Sequence, residues 1–229
     1  IRDFGNFLNA MGAGISGHGT PTIIIDGVDM LKAATYPPLP DRIVAGTYMY
    51  AAAITSGEIE LEGVHKDDLR IVINKLCNMG VIFKYKPNGN IIVKGPRRLS
   101  PVDITTMPYP GFPTDLQAQM MTLMTVANGA AMITETIFEN RFQHVPELMR
   151  MGADITVKGA TAMVRGDHDG LHGAPVMATD LRASVSLVLA GLAARGETTI
   201  NRVYHLDRGY ERLEEKLSGC GADIARLVE

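Results

Sequence analysis

This 229-residue chain has no basic excess: 25 acidic residues against 22 Lys and Arg leave a net charge of −3. Nucleic-acid binding needs a basic footprint, and the one compact cluster, Lys94-Gly95-Pro96-Arg97-Arg98, is too small to supply it. Long apolar runs are missing as well. The longest, Val185 to Ala194, is ten residues interrupted by Ser186, whereas a membrane-spanning helix needs roughly 20. Cysteine is scarce: Cys77 and Cys220 are the two, in the second helices of two repeats, which predicts packing in a reducing compartment rather than a disulfide. The opening residues Ile1-Arg2-Asp3-Phe4 carry no signal-peptide pattern, so the expected location is the cytoplasm. What is present is ordinary for a globular protein, 46% hydrophobic and 21% charged, and long enough for one large or two small domains with a proper core.

The organising pattern is a repeat. An aspartate stands at the mouth of an apolar helix that runs to a glycine three times: Asp41 to Gly57, Asp115 to Gly129 and Asp180 to Gly196, gaps of 16, 14 and 16 residues. A second set of glycines, Gly80, Gly152 and Gly221, follows the first by 23, 23 and 25. Each unit reads as apolar helix, Gly turn, strand, amphipathic helix, Gly and strand, with a further strand in the first two. The first helix of each unit is apolar nearly all round, as in Ile43 to Ile54 and Leu181 to Ala194, so it must be buried on every side. The second is amphipathic, with Tyr210, Leu213 and Leu217 sharing one stripe, and strands such as Glu58 to Glu62 alternate for a sheet with one wet face. Helices inside and sheets outside follow. Residues 1–27 match only the end of such a unit, which predicts that the chain is part of something longer, and the prolines of Tyr36-Pro37-Pro38-Leu39-Pro40 mark the crossing into the three-unit region.

Gly12-Ala13-Gly14-Ile15-Ser16-Gly17 matches GxGxxG but follows a helix and leads to a strand, the reverse of a dinucleotide fingerprint, so it reads as a helix stop and a turn. For the aspartates the plain reading is capping, worth about 0.5–2 kcal/mol each. Their company adds another. Arg42 and Arg182 follow Asp41 and Asp180 closely, and Arg141 and Arg208 each lie 12 residues after their unit's central glycine, where the first unit has Leu69 with Arg70 next to it. Repeat symmetry gathers these positions at one end, where carboxylates among guanidiniums make a site for an anionic substrate with an acid left for proton transfer. The competing reading is a set of ion pairs that ties the repeats together. His144, His172 and His205 show no metal-ligand spacing.

At four segments the chain resembles the UDP-N-acetylglucosamine enolpyruvyl transferase family: Tyr109 to Asp115 (YPGFPTD), Ile133 to Phe142 (ITETIFENRF), Met177 to Ser184 (MATDLRAS) and Tyr204 to Arg212 (YHLDRGYER). The resemblance covers essentially the whole chain. It implies an inside-out α/β barrel of repeated βαβαββ-like units, six in a two-domain enzyme, with residues 1–36 the tail of the first domain and 37–229 the second, in repeats of about 40–95, 101–166 and 172–229. It implies transfer of the enolpyruvyl group of phosphoenolpyruvate to the 3'-hydroxyl of UDP-N-acetylglucosamine with release of phosphate, the first committed step of peptidoglycan synthesis, with no cofactor and no metal. Carried over by motif, Asp115 binds the sugar hydroxyl and is the candidate base, and Asp180 faces the reacting carbons. Ile137 through its backbone, Phe138 and Glu139 line the nucleotide-sugar pocket, with Arg141 nearby. Arg182 and Arg208 hold phosphoenolpyruvate, and Asp41 and Arg42 lie at the domain junction. The family's reactive cysteine and its phosphoenolpyruvate-gripping lysine and arginine have no counterpart here, so the expected partner is a missing N-terminal half, without which the chain is inactive. Alternatives are the sister shikimate-pathway transferase, which lacks the Ile133–Phe142 loop, and a non-catalytic repeat scaffold.

Overall fold

Leucine three residues before a helix end and glycine just after it recur four times, and each time the chain turns the same way. The computed structural model describes residues 1–227. Gly12, Gly80, Gly152 and Gly221 sit at φ of +97°, +97°, +100° and +97°, a left-handed conformation that glycine adopts without steric cost. The residue after each donates its N–H to the leucine carbonyl, Leu8, Leu76, Leu148 and Leu217 respectively, which closes a Schellman turn on otherwise orphaned carbonyls. The first glycine set is not so uniform. Gly129 and Gly196 have positive φ, but in the first unit the left-handed residue is Ser56 (φ +54°) and not Gly57.

The chain divides into Ile1–Pro40 and Asp41–Glu229. The smaller part consists of α1 (Arg2–Ala10), β1 (Gly14–Ser16) and β2 (Ile24–Asp26), an antiparallel pair in which Gly14 faces Asp26. Asn9 fastens the helix to β1 by bonding both the carbonyl and the N–H of Ile15, at 2.7 and 2.8 Å. Gly12 is the expected helix stop, so the GxGxxG match carries no dinucleotide turn.

The larger part runs α2 (Arg42–Ile54), β3 (Glu58–Leu61), α3 (Arg70–Asn78), β4 (Ile82–Tyr85), β5 (Ile91–Lys94), β6 (Ile104–Thr105), α4 (Gln117–Thr125), β7 (Gly129–Thr134), α5 (Val145–Arg150), β8 (Asp154–Lys158) and β9 (Thr161–Gly166). It ends with β10 (Pro175–Met177), α6 (Leu181–Ala193), β11 (Thr199–Asn201), α7 (Tyr204–Asp207) and α8 (Leu213–Gly219). The apolar helices α2, α4 and α6 pack on one another, and each lies on a sheet of its own unit. All nine residues of α4 are buried; Thr122 on it donates to the Ser186 carbonyl of α6 at 3.2 Å, while the buried Gln117 amide has no hydrogen-bond partner among the described residues. The core is rich in methionine: Met49, Met79, Met120, Met121, Met124 and Met151 are all at most 1% exposed. Truncating one of them to alanine costs about 2–5 kcal/mol through lost burial and the cavity left behind.

The three sheets are versions of one pattern. β3-β5-β4 and β7-β9-β8 have the same antiparallel order, β6 adds to β7 in parallel, and β10 adds to β11 in the same way. Helices inside and sheets outside are therefore as the burial pattern predicted, and the second unit, β6 to β9, is a complete βαβαββ. The third departs from expectation twice. Residues 222–227 form no strand, because among the described residues no partner strand lies alongside them. Its amphipathic helix is split, α7 and α8 being separated by a break at Arg212 (φ +49°). Both cysteines are exposed, not packed: α3 turns Val72, Ile73 and Leu76 inward and leaves Cys77 outside that stripe, while Cys220 caps α8. No described helix is long and apolar enough to cross a membrane.

Candidate active site

Asp41 and Asp180 are caps. In extended backbone just before α2 and α6, each accepts two N–H groups through Oδ1: Ile43 and Val44 at 2.7 and 3.2 Å, Arg182 and Ala183 at 2.7 and 2.9 Å. Asp115 is not a cap, contrary to the simple reading of the repeat. It sits inside a 3-10 turn, Thr114–Leu116, that follows Pro113 and precedes α4, and neither the turn nor α4 has a side-chain cap. Arg141 donates to its Oδ1 at 2.9 Å from the loop before α5, and Arg182 meets its Oδ2 at 3.2 Å from the first turn of α6. One carboxylate thus bridges guanidiniums from two units. Burial alone raises its pKa, but the bonds and charges of Arg182 and Arg141 outweigh this and hold it below the ordinary aspartate value.

The surroundings fix both arginines. Tyr210 Oη stands 2.9 Å from Thr47 Oγ1, its nearness favours the charged Arg182 guanidinium, and burial raises its own pKa, so it stays a phenol. Gln119 donates to the Asp115 carbonyl at 3.0 Å. The Arg141 guanidinium stands 5.0 Å from the Phe138 ring centre, and that of Arg42 stands 5.3 Å from Tyr109. Gly46 lets α2 approach the tripeptide: a Cβ there would come within 2.7 Å of Leu116.

A cavity of about 190 Å³ opens here, lined by Arg42, Tyr109, Thr114, Asp115 and Ile137 among others. Depressions of about 440 and 410 Å³ lie elsewhere, toward the C-terminal ends of α2 and α6. No arginine lines them, so size does not mark the chemistry. The structure brings together Asp115, Arg141, Arg182, Ile137, Phe138 and Arg42. Glu139 and Arg208 are exposed and form no ion pair among the described residues. Arg208 precedes Gly209, which packs on Leu181, so its backbone lies beside the start of α6. The Ile137 N–H is already taken by Glu135, at 2.8 Å, which leaves its carbonyl for a ligand.

Sequence reasoning missed three residues. Glu135 is 4% exposed with four hydrogen bonds, and its signal was an acid at a strand exit between two threonines. Tyr210 was read only as core. His144 is buried with Nε2 unbonded, and burial holds its pKa down at about 4; the neighbouring Asp180 charge works against that and the Arg141 charge with it. Among the described residues no cluster of three His, Cys, Asp or Glu could hold a metal ion.

The comparisons with known proteins agree with this architecture. The chain is 60% identical over 227 residues to UDP-N-acetylglucosamine 1-carboxyvinyltransferase 1 of Mesorhizobium japonicum, covering 99% of this chain and 53% of that protein. It is 58% identical over 229 residues to UDP-N-acetylglucosamine 1-carboxyvinyltransferase of Trichlorobacter lovleyi, covering all of this chain and 54% of the relative. The chain thus spans about half the length of the curated relatives it matches. Among solved structures, the enolpyruvyl transferase NikO from Streptomyces tendae superposes with a TM-score of 0.86 at 30% identity, over 96% of this chain and 52% of that one. EPSP synthase from Acinetobacter baumannii, at 22% identity and a TM-score of 0.75 over 96% of this chain and 54% of its own, shares the fold. The family model for EPSP synthase (3-phosphoshikimate 1-carboxyvinyltransferase) matches residues 1–217, and the chain belongs to that family, with the inside-out enolpyruvyl transferase fold.

Proposed function

We propose that this chain is the C-terminal part of an enzyme that transfers the enolpyruvyl group of phosphoenolpyruvate to the 3'-hydroxyl of UDP-N-acetylglucosamine, releasing phosphate. The observation that carries the reading is the Asp115 carboxylate held between Arg141 and Arg182 on the rim of a cavity that Ile137 also lines. Relatives at 56–60% identity named for this reaction support it. In the reaction the sugar hydroxyl adds to C2 of phosphoenolpyruvate while C3 takes a proton; the tetrahedral intermediate then loses phosphate and a C3 proton.

Asp115 is the base for the hydroxyl, and its ion pairs govern when it acts. With both guanidiniums on it, its pKa is depressed and it is a weak base. Phosphoenolpyruvate brings a carboxylate and a phosphate that compete for Arg182, and each bond drawn away restores basicity to Asp115. Arg208, exposed beside the start of α6, joins Arg182 in holding that anion. Asp180 spends Oδ1 on its cap, which leaves Oδ2 to face the reacting carbons. Phe138 and Glu139 complete the nucleotide-sugar side. The remaining half of the site comes from an N-terminal half of the enzyme, which works in the cytoplasm in peptidoglycan synthesis.

The test is phosphate release by the full-length enzyme and by the 229-residue chain alone. Release by the full-length enzyme with phosphoenolpyruvate and UDP-N-acetylglucosamine, and none by the chain, is expected. Release with shikimate 3-phosphate instead would move the protein to the sister reaction, and failure of the chain to complement any N-terminal half would leave the scaffold reading.

A further inference from the structure

Glu135 leaves β7 with its side chain turned inward, where it is 4% exposed. Its Oε1 accepts from Thr106 Oγ1 at 2.8 Å and from the backbone N–H groups of Ile137 and Phe138 at 2.8 and 3.2 Å; its Oε2 accepts from Thr114 Oγ1 at 2.8 Å. All four donors are neutral, and no cation forms an ion pair with it among the described residues. As a mere core filler a carboxyl group is a poor choice, because removing it from water is costly even when its bonds are made. What distinguishes the four bonds is where they end. Thr114 begins the turn that carries Asp115, and Ile137 is another wall of the same cavity. Thr106, which also accepts from the Thr136 N–H at 2.9 Å, ties the group to the end of β6.

Resting on the function proposed above, the geometry points to Glu135 as the positioning residue that sets the nucleotide-sugar pocket, by fastening the Asp115 turn and the Ile137–Phe138 loop to one carboxyl group. It does not touch the reacting atoms. Removing it leaves two backbone N–H groups and two hydroxyls without their acceptor and frees the walls to move apart, which weakens the sugar nucleotide more than phosphoenolpyruvate. Glutamine keeps most of the arrangement: its carbonyl oxygen takes the Oε1 bonds and its amide donates to Thr114 Oγ1.

The experiment is steady-state kinetics of the full-length enzyme with E135A, E135Q and T114V. E135A is expected to raise KM for UDP-N-acetylglucosamine about tenfold, equivalent to about 1.4 kcal/mol, with KM for phosphoenolpyruvate little changed. E135Q restores most of the loss, and T114V, which removes one bond only, shifts the same KM in the same direction by less. An unchanged KM for the sugar nucleotide in E135A, or equal rises for both substrates, overturns the proposal. Amide hydrogen exchange at Ile137 and Phe138 in the 229-residue chain needs no activity: slow exchange in the parent and fast exchange in E135A are expected, and equal protection in both overturns the fastening itself. If the parent enzyme has no activity with UDP-N-acetylglucosamine, the functional reading fails, and the exchange result still decides whether Glu135 holds the loop.

Discussion

The starts of α4 and α6 carry the same tripeptide, Thr114-Asp115-Leu116 and Thr179-Asp180-Leu181, and put it to different uses. At α6 the aspartate is extended (φ −155°, ψ 177°) and spends its side chain on the helix. At α4 the tripeptide is itself wound into a 3-10 turn, the aspartate lies one step inside, and its side chain is free for Arg141 and Arg182. In both places the following leucine lies against a glycine, Gly46 for Leu116 and Gly209 for Leu181. The packing is shared and the entry of the chain differs. One extra turn ahead of the helix is what converts a cap into a group available for chemistry.

The sharpest way to break this comparison is to neutralise each aspartate in turn in the full-length enzyme. Asp115→Asn is expected to lower turnover by about 10²–10⁴-fold, the range for loss of a positioned base, while the melting temperature changes little. Equal turnover in mutant and parent would remove the base. His144, which feels the charges of Asp180 and Arg141, tests the electrostatics that join the two helix starts. Its folded pKa of about 4 lies below the ordinary 6.5 because burial opposes charging. Between those values the unfolded chain binds a proton that the folded chain does not, so stability falls as pH is lowered from 6.5 to about 4. At about 1.4 kcal/mol per unit the loss is roughly 3 kcal/mol. Urea unfolding across that window should show the slope in the parent and lose it in His144→Leu.

Asp180→Ala should cost about 0.5–2 kcal/mol as a lost cap, and Asp180→Asn much less because asparagine caps as well. A turnover loss in Asp180→Asn without a stability loss would show Asp180 acting beyond its cap. The smallest effect is the stability that Asp115 draws from its ion pairs. Because its folded pKa is depressed, that contribution is full above the ordinary aspartate value and disappears as pH falls through the folded value. With the side chain 40% exposed, solvent screening keeps it to about 1 kcal/mol or less. Comparing parent and Asp115→Asn at pH 7 and pH 3 measures it.

Much of the scaffold was legible because it depends on local rules. Leu148 and Gly152, like Leu76 and Gly80, announce the same helix ending, and an all-apolar run such as Leu181 to Ala194 has nowhere to go but the interior. Arg141 was legible from its spacing alone. Glu135 was not, because its four partners come from three separate stretches of chain, and nothing at position 135 shows which way the strand exit turns. The exposure of Cys77 escaped for a related reason: helix membership was clear, but which flank of a narrow stripe faces solvent depends on the neighbouring sheet. Arg208 and Glu139 have no partner among the described residues, so the structure adds no contact to their family-implied roles.

The methionine distribution offers a clock. Six thioethers, among them Met120, Met121 and Met124 on α4, are sealed in the core, whereas Met30, Met107, Met132, Met149 and Met177 are between 43% and 74% exposed. Dilute peroxide should convert the exposed sulfurs to sulfoxide promptly and reach the sealed ones only when the helix core opens. The lag between the two sets, read by peptide mass, reports how often α2, α4 and α6 part, and a ligand that draws the helix starts together should lengthen it.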